Sequence, residues 1–149
     1  MDNSSIGEKW SGSAPQLQSL LRIVAALMFM SAGTMKLFGI PAMPKAVNVT
    51  LFSEIGLAGV LEAVGGALLL IGLFTRPVAF ILAGEMAVAY FQAHAPQGFW
   101  PTLNGGQAAI LYAFIWLYFS AAGAGAWSLD AMRTHSRRSN PKRMFATGH

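Results

Sequence analysis

The sequence predicts an all-α integral membrane protein, a four-helix bundle with both termini in the cytoplasm. Three observations predict it. Hydrophobic residues make up 54% of the 149-residue chain and charged residues only 11%, where soluble domains average about 25% charged, and the mean hydropathy is +0.49. The apolar residues collect into four runs, about 20–40, 54–74, 77–95 and 106–122, and ~20 helical residues at 1.5 Å each cross a ~30 Å hydrocarbon core. The basic residues are lopsided. With four spans, Lys9, Arg22, Arg76, Arg133, Arg137, Arg138, Lys142 and Arg143 share the side of the termini, while Lys36 and Lys45 lie opposite. The positive-inside rule makes the first side cytoplasmic.

Residues 1–19 read as a mobile polar arm, without the compact charged-then-apolar pattern of a cleavable signal peptide. The first span carries Arg22 near its start and Lys36 near its end, where long side chains can snorkel to the interfaces. Gly39, Pro41 and Pro44 stop it, and the connection over 41–53 has room for a short interfacial segment. In the second span Gly56, Gly59, Ala63 and Gly66 form a stripe of small residues, which lets backbones approach closely in lipid. Glu62 lies beside that stripe and should face another helix. Thr75-Arg76-Pro77 reads as a tight turn, with Pro77 opening the third span. There Ala79, Ala83 and Ala87 form a second close-packing face, Glu85 lies eight residues in, and His94 comes just before the stop at Pro96. Phe99 and Trp100 suit a membrane interface. The fourth span is the shortest, begins near Gln107, and leads through GAGAWSLD into a basic tail over 131–149 that reads as disordered beyond about 135.

Counting depth at 1.5 Å per residue from the cytoplasmic end puts Glu85 at ~12 Å, Glu62 at ~18 Å, Lys36 at ~24 Å and His94 at ~26 Å. Arg22, Arg76 and Asp130 gather at the inner end, where they read as a structural cluster that pins the turn and the GAGAWSLD segment. Lys36, His94, Asn104 and Gln107 gather at the outer end, and the two glutamates lie between. A carboxylate in hydrocarbon costs about 2.5–3.5 kcal/mol on insertion scales, so both should face protein. Lys36 and Glu62 differ by only ~6 Å in depth and should pair. Glu85 has no cation at its own level. It is either protonated or paired with an arginine reaching up from below, and is the better functional candidate.

The chain has no cysteine, which excludes thiol relays and Cys-ligated iron–sulfur clusters. Bis-histidine haem needs a second intramembrane histidine, but His135 and His149 lie in the tail. The paired Glu-x-x-His spacing of di-iron bundles is absent, so no metal site is expected. The basic tail suits orientation or anionic lipid, not nucleic acid, for which no motif is present.

The segments RIVAALMFMSAGTMKLFGI (22–40), LEAVGGALLLIGLFTR (61–76) and NGGQAAILYAFIWLYFSAAGAGAWSLD (104–130) resemble the DoxX family of small four-helix membrane proteins. The matching residues are Gly33 and Lys36, then Glu62, Gly65, Gly66, Gly72 and Arg76, then Gly123, Gly125, Ser128 and Asp130. Many members carry a glutamate after the Asn-Gly-Gly of the last span, where this chain has Gln107. The resemblance covers a domain over 20–130 and implies a bacterial or archaeal inner-membrane protein. The family is named for a subunit of a terminal quinol oxidase complex. It therefore implies a quinone-associated subunit or accessory of a membrane redox complex, with Glu85, Glu62, Lys36, His94 and Gln107 as candidate contacts to a quinone head group. Other redox subunits and a second copy of the chain are the partners it suggests beside the bilayer. Two further readings stand: a non-catalytic structural or assembly protein whose charges fix helix packing, and a small transporter or proton path. The third lacks the broken helices usual in transporters.

Overall fold

The computed structural model describes residues 7, 10–41 and 50–138. Among them five helices follow one another: α1 (Ala14–Phe38), α2 (Glu54–Ile71), α3 (Thr75–Ala89), α4 (Gln107–Ala122) and α5 (Leu129–Arg138). A π turn, Tyr90–His94, and a 3-10 turn, Ala95–Gln97, prolong α3. No strand occurs among the described residues. The segments Ala14–Phe38, Glu54–Ile71 and Thr75–Gln97 are each long and apolar enough to cross a membrane. The 16 residues of α4 are apolar but reach only ~24 Å.

The helices pack as two intimate pairs, α1 with α2 and α3 with α4, and α2 meets α3 over a smaller area. Rings join the pairs: Phe29 of α1 lies 5.0 Å from Tyr112 and 5.3 Å from Trp116 of α4. Phe29, Trp116, Phe119, Leu69 and Leu82 fill the core, while Leu27, Val64, Phe80 and Phe114 face outward. Apolar side chains on both faces are what a helix needs when its solvent is lipid.

Glycines set the α1–α2 distance. A side-chain carbon on Gly33 would lie 2.7 Å from the Gly59 carbonyl oxygen and 2.9 Å from the Glu62 carbonyl carbon. Gly66 sits against Met30 of α1, and Gly65 faces Leu82 of α3. Ala79 and Ala83 are buried.

Several boundaries differ from those expected. α1 starts at Ala14, six residues inside the stretch read as an arm, because Pro15 suits the first helical turn and Ser19 and Arg22 have buried partners to reach. Arg22 therefore lies within the helix and is fully buried, not snorkelling to an interface. α2 ends at Ile71, not 74. Gly72 takes the left-handed conformation (φ 69°) and the amides of Gly72 and Leu73 close back on Leu69 and Leu68. The turn is thus Gly72–Phe74, and Pro77 occupies the third position of α3, where its missing N–H still costs nothing. The last helix continues to Arg138, past the expected onset of disorder. The suggested interfacial segment falls largely on 42–49, and the far tail on 139–149, both outside the described residues.

Candidate functional site

Gly33 brings the α1 backbone onto α2 at Glu62, and Lys36 stands one helical turn further along the same face. The result is an ion pair, Lys36 Nζ to Glu62 Oε1 at 2.5 Å. The Glu62 side chain is 3% exposed and that of Lys36 29% exposed, so the lysine closes one side of the cluster. The ion pair expected from the depth count is present.

Glu62 uses one oxygen for Lys36, and its Oε2 is buried with no hydrogen-bond partner among the described residues. Both oxygens of Glu85 are in the same condition. Glu85 lies within electrostatic range of Glu62 and of Lys36, so α1, α2 and α3 contribute one ionisable group each to a single cluster. Among the described residues no arginine reaches Glu85 with a hydrogen bond or ion pair. Tyr112 of α4, half-buried and packed between Phe29 and Trp116, interacts electrostatically with Glu62. The depth count from the sequence leaves Tyr112 out. Its depth, ten residues before Ala122 or ~15 Å from the inner end, falls between the two glutamates and was the available signal.

The other candidates lie elsewhere. His94 sits in the π turn, nine residues or ~13.5 Å beyond Glu85, with Nδ1 3.0 Å from the Asn104 carbonyl. Asn104 is buried, donates to the Gly98 carbonyl at 2.7 Å and accepts from the Gly106 amide at 2.8 Å. His94 and Asn104 thus tie the α3–α4 connection together. Gln107 is exposed at the first position of α4.

Where α2 turns into α3, Arg22 and Asp130 divide the work of closing the fold. Arg22 donates through Nε to the Ala124 carbonyl at 2.8 Å, and through its terminal nitrogens to the carbonyls of Leu69, Leu70 and Trp127. It binds the end of α2 to the segment that follows α4. Asp130 accepts the amides of Phe74 at 3.0 Å and Thr75 at 2.9 Å, capping α3 and holding Phe74 at φ 51°. Arg76 makes no hydrogen bond or ion pair among the described residues.

Two cavities flank these groups. An open cleft of about 910 Å³ lies where α3 begins and α4 ends, lined by Thr75, Arg76, Asp130 and Arg133 among others. An apolar groove of about 500 Å³ runs between α3 and α4 past Phe80, Gly84, Phe91 and Phe114. Neither includes Glu62 or Glu85.

Residues 17–95 match the DoxX family model, more than half the chain. The chain belongs to the DoxX family. That match takes in Gly33, Lys36, Glu62 and Glu85 and stops at the end of the π turn, before α4. An uncharacterized protein of Haemophilus influenzae is 48% identical to this DoxX chain over 120 residues, covering 78% of this chain and 90% of the relative. No solved structure matches.

Proposed function

We propose that this DoxX protein is a four-span inner-membrane bundle with cytoplasmic termini. Its Lys36–Glu62–Glu85 cluster takes the head group of a quinone or quinol, as a subunit or accessory of a membrane redox complex. The observation that carries the reading is the set of three buried carboxylate oxygens without partners, Glu62 Oε2 and both oxygens of Glu85. A buried acceptor left unmade costs about 1–3 kcal/mol, more when charged. A quinol brings two hydroxyl donors into an apolar setting and would satisfy two of them, and Lys36 supplies a donor for a quinone carbonyl. The bilayer supplies such a ligand directly. The lopsided basic residues support the orientation: Arg76 and Arg133 share one end of the molecule, and Lys36 lies far along α1 from it.

The test is the quinone content of protein purified in mild detergent, together with thermal denaturation in the presence of a short-chain quinol. Co-purified quinone and a raised midpoint that Glu85→Gln reduces are the expected results. No quinone and no shift would remove the reading. One observation favours a second: neither cavity reaches the carboxylates. On that reading the cluster only locks α1 to α2 in a structural or assembly protein. Replacing Lys36 and Glu62 together by apolar or neutral residues would then leave every cellular function intact.

A further inference from the structure

The cleft at the start of α3 and the groove between α3 and α4 lie end to end along one face of α3, with no lining residue in common. Arg76 lines the cleft, and Phe80, Gly84, Ala87 and Phe91 line the groove. These five residues fall at steps of four, four, three and four, one face of a single helix. On α4, Phe114 and Leu117 line the groove, and Ala122 and Gly123 line the cleft. A charged concavity therefore lies about one helical turn beyond the end of an apolar channel that runs along the span. From Phe80 to Phe91 the channel is ~16 Å long, close to the ~15 Å of one leaflet of a ~30 Å core.

The cleft's charges are sorted by sign. Its carboxylate, Asp130, is already occupied by the Phe74 and Thr75 amides. The carbonyls of Gly123 and Ala124 are taken by Gln18 and Arg22. The donors are left over. Among the described residues Arg76 has no hydrogen bond or ion pair, and Arg133 has only the face of Phe74, 5.1 Å from its guanidinium carbon. Thr75 lines the cleft, is fully buried, and its hydroxyl has no partner. Two free guanidinium groups and an unused hydroxyl around a wide mouth suit a phosphate. Phe74 and Trp127, both more than half exposed at this end, suit the depth of lipid head groups.

We infer that this surface binds one anionic phospholipid, its phosphate in the cleft between Arg76, Arg133 and Thr75 and one acyl chain in the groove between α3 and α4. The site is separate from the Lys36–Glu62–Glu85 cluster and stands or falls without the quinone reading. The arginines give the preference for a net negative head group, and the groove gives the preference for a long chain over a free phosphate.

The test uses the full chain, delipidated in detergent. Thermal denaturation and native mass spectrometry are followed on adding dioleoyl phosphatidylglycerol, dioleoyl phosphatidylcholine or inorganic phosphate. The phosphatidylglycerol should raise the midpoint and remain bound as a single copy, and the other two should do neither. Arg76→Gln and Arg133→Gln, both at exposed positions, should each weaken phosphatidylglycerol binding about fivefold, from ~1 kcal/mol per basic residue at an anionic surface. A carbon added at Gly84 meets nothing within 4 Å, so Gly84→Leu fills the groove without touching the core. It should weaken the dioleoyl lipid and leave dihexanoyl phosphatidylglycerol unchanged. Equal binding of phosphatidylcholine, an equal shift with inorganic phosphate, unchanged selectivity in the double arginine variant, or indifference of the dioleoyl lipid to Gly84→Leu would each overturn the inference.

Discussion

Lys36 on α1 and Glu62 on α2 meet at 2.5 Å, with the glutamate side chain 3% exposed. The contact exists because Gly33, one turn before Lys36, lets the two backbones touch. A glycine thus determines the position of a charge pair, and the charge pair in turn fixes the register of the two helices.

Removing one member of this pair should be worse than removing both. Lys36→Met strands the Glu62 carboxylate and should destabilise the protein by about 2–4 kcal/mol, below the figure for a fully buried pair because Lys36 is partly exposed. Lys36→Met with Glu62→Gln should recover most of that loss. Denaturation of the two single variants and the double variant in detergent measures the coupling. Additive effects would mean that the pair contributes nothing to stability.

Gly33→Ala should separate α1 from α2. The added carbon overlaps the α2 backbone at Gly59 and Glu62, which cannot move aside as a side chain could. Overpacking of this kind costs about 1–3 kcal/mol. The Lys36–Glu62 coupling, measured by the same cycle in the Gly33→Ala background, should fall toward zero.

Glu85 points to the opposite result. Its two oxygens are buried without partners among the described residues, so Glu85→Leu should stabilise the ligand-free protein by about 1–3 kcal/mol, whereas Glu85→Gln, which keeps an unpartnered polar group there, should not. Such a gain at a group kept for binding is the usual stability–activity opposition. A lowered midpoint in quinone-free detergent would show that Glu85 has a partner in the protein.

Arg22 and Asp130 close the fold from opposite sides of the Gly72–Phe74 turn. Arg22→Leu leaves the carbonyls of Ala124 and Trp127 without their donor and should cost about 2–5 kcal/mol. Asp130→Ala removes the acceptor of two amides and should cost about 1–2 kcal/mol, with Asp130→Asn milder. Equilibrium unfolding ranks the three. Proteolysis near the GAGAWS segment should increase most in Arg22→Leu.

Much of this was legible in the sequence because lipid makes composition informative. Runs of apolar residues must be helices, since no water satisfies an open backbone in hydrocarbon. Counting 1.5 Å per residue along those helices then put Lys36 within ~6 Å of Glu62 in depth. What counting could not supply was azimuth. It grouped Lys36 with His94 and Gln107 by depth, whereas Lys36 turns to Glu62, His94 to the Asn104 carbonyl, and Gln107 outward. It also left Glu85 either protonated or paired with an arginine from below, and Arg22 is committed to four carbonyls instead.

The sequence by itself determined the class of the protein, its apolar helices, and which few polar residues had to face inward, because the cost of a charge in hydrocarbon is independent of topology. Tertiary structure alone decided which of those residues meet. The approach of α1 to α2 at Gly33, the capture of the segment after α4 by Arg22, and the alignment of the Arg76 cleft with the α3–α4 groove all depend on how helices rotate against one another. That rotation is set by side-chain packing between segments distant in the chain, which no local pattern records.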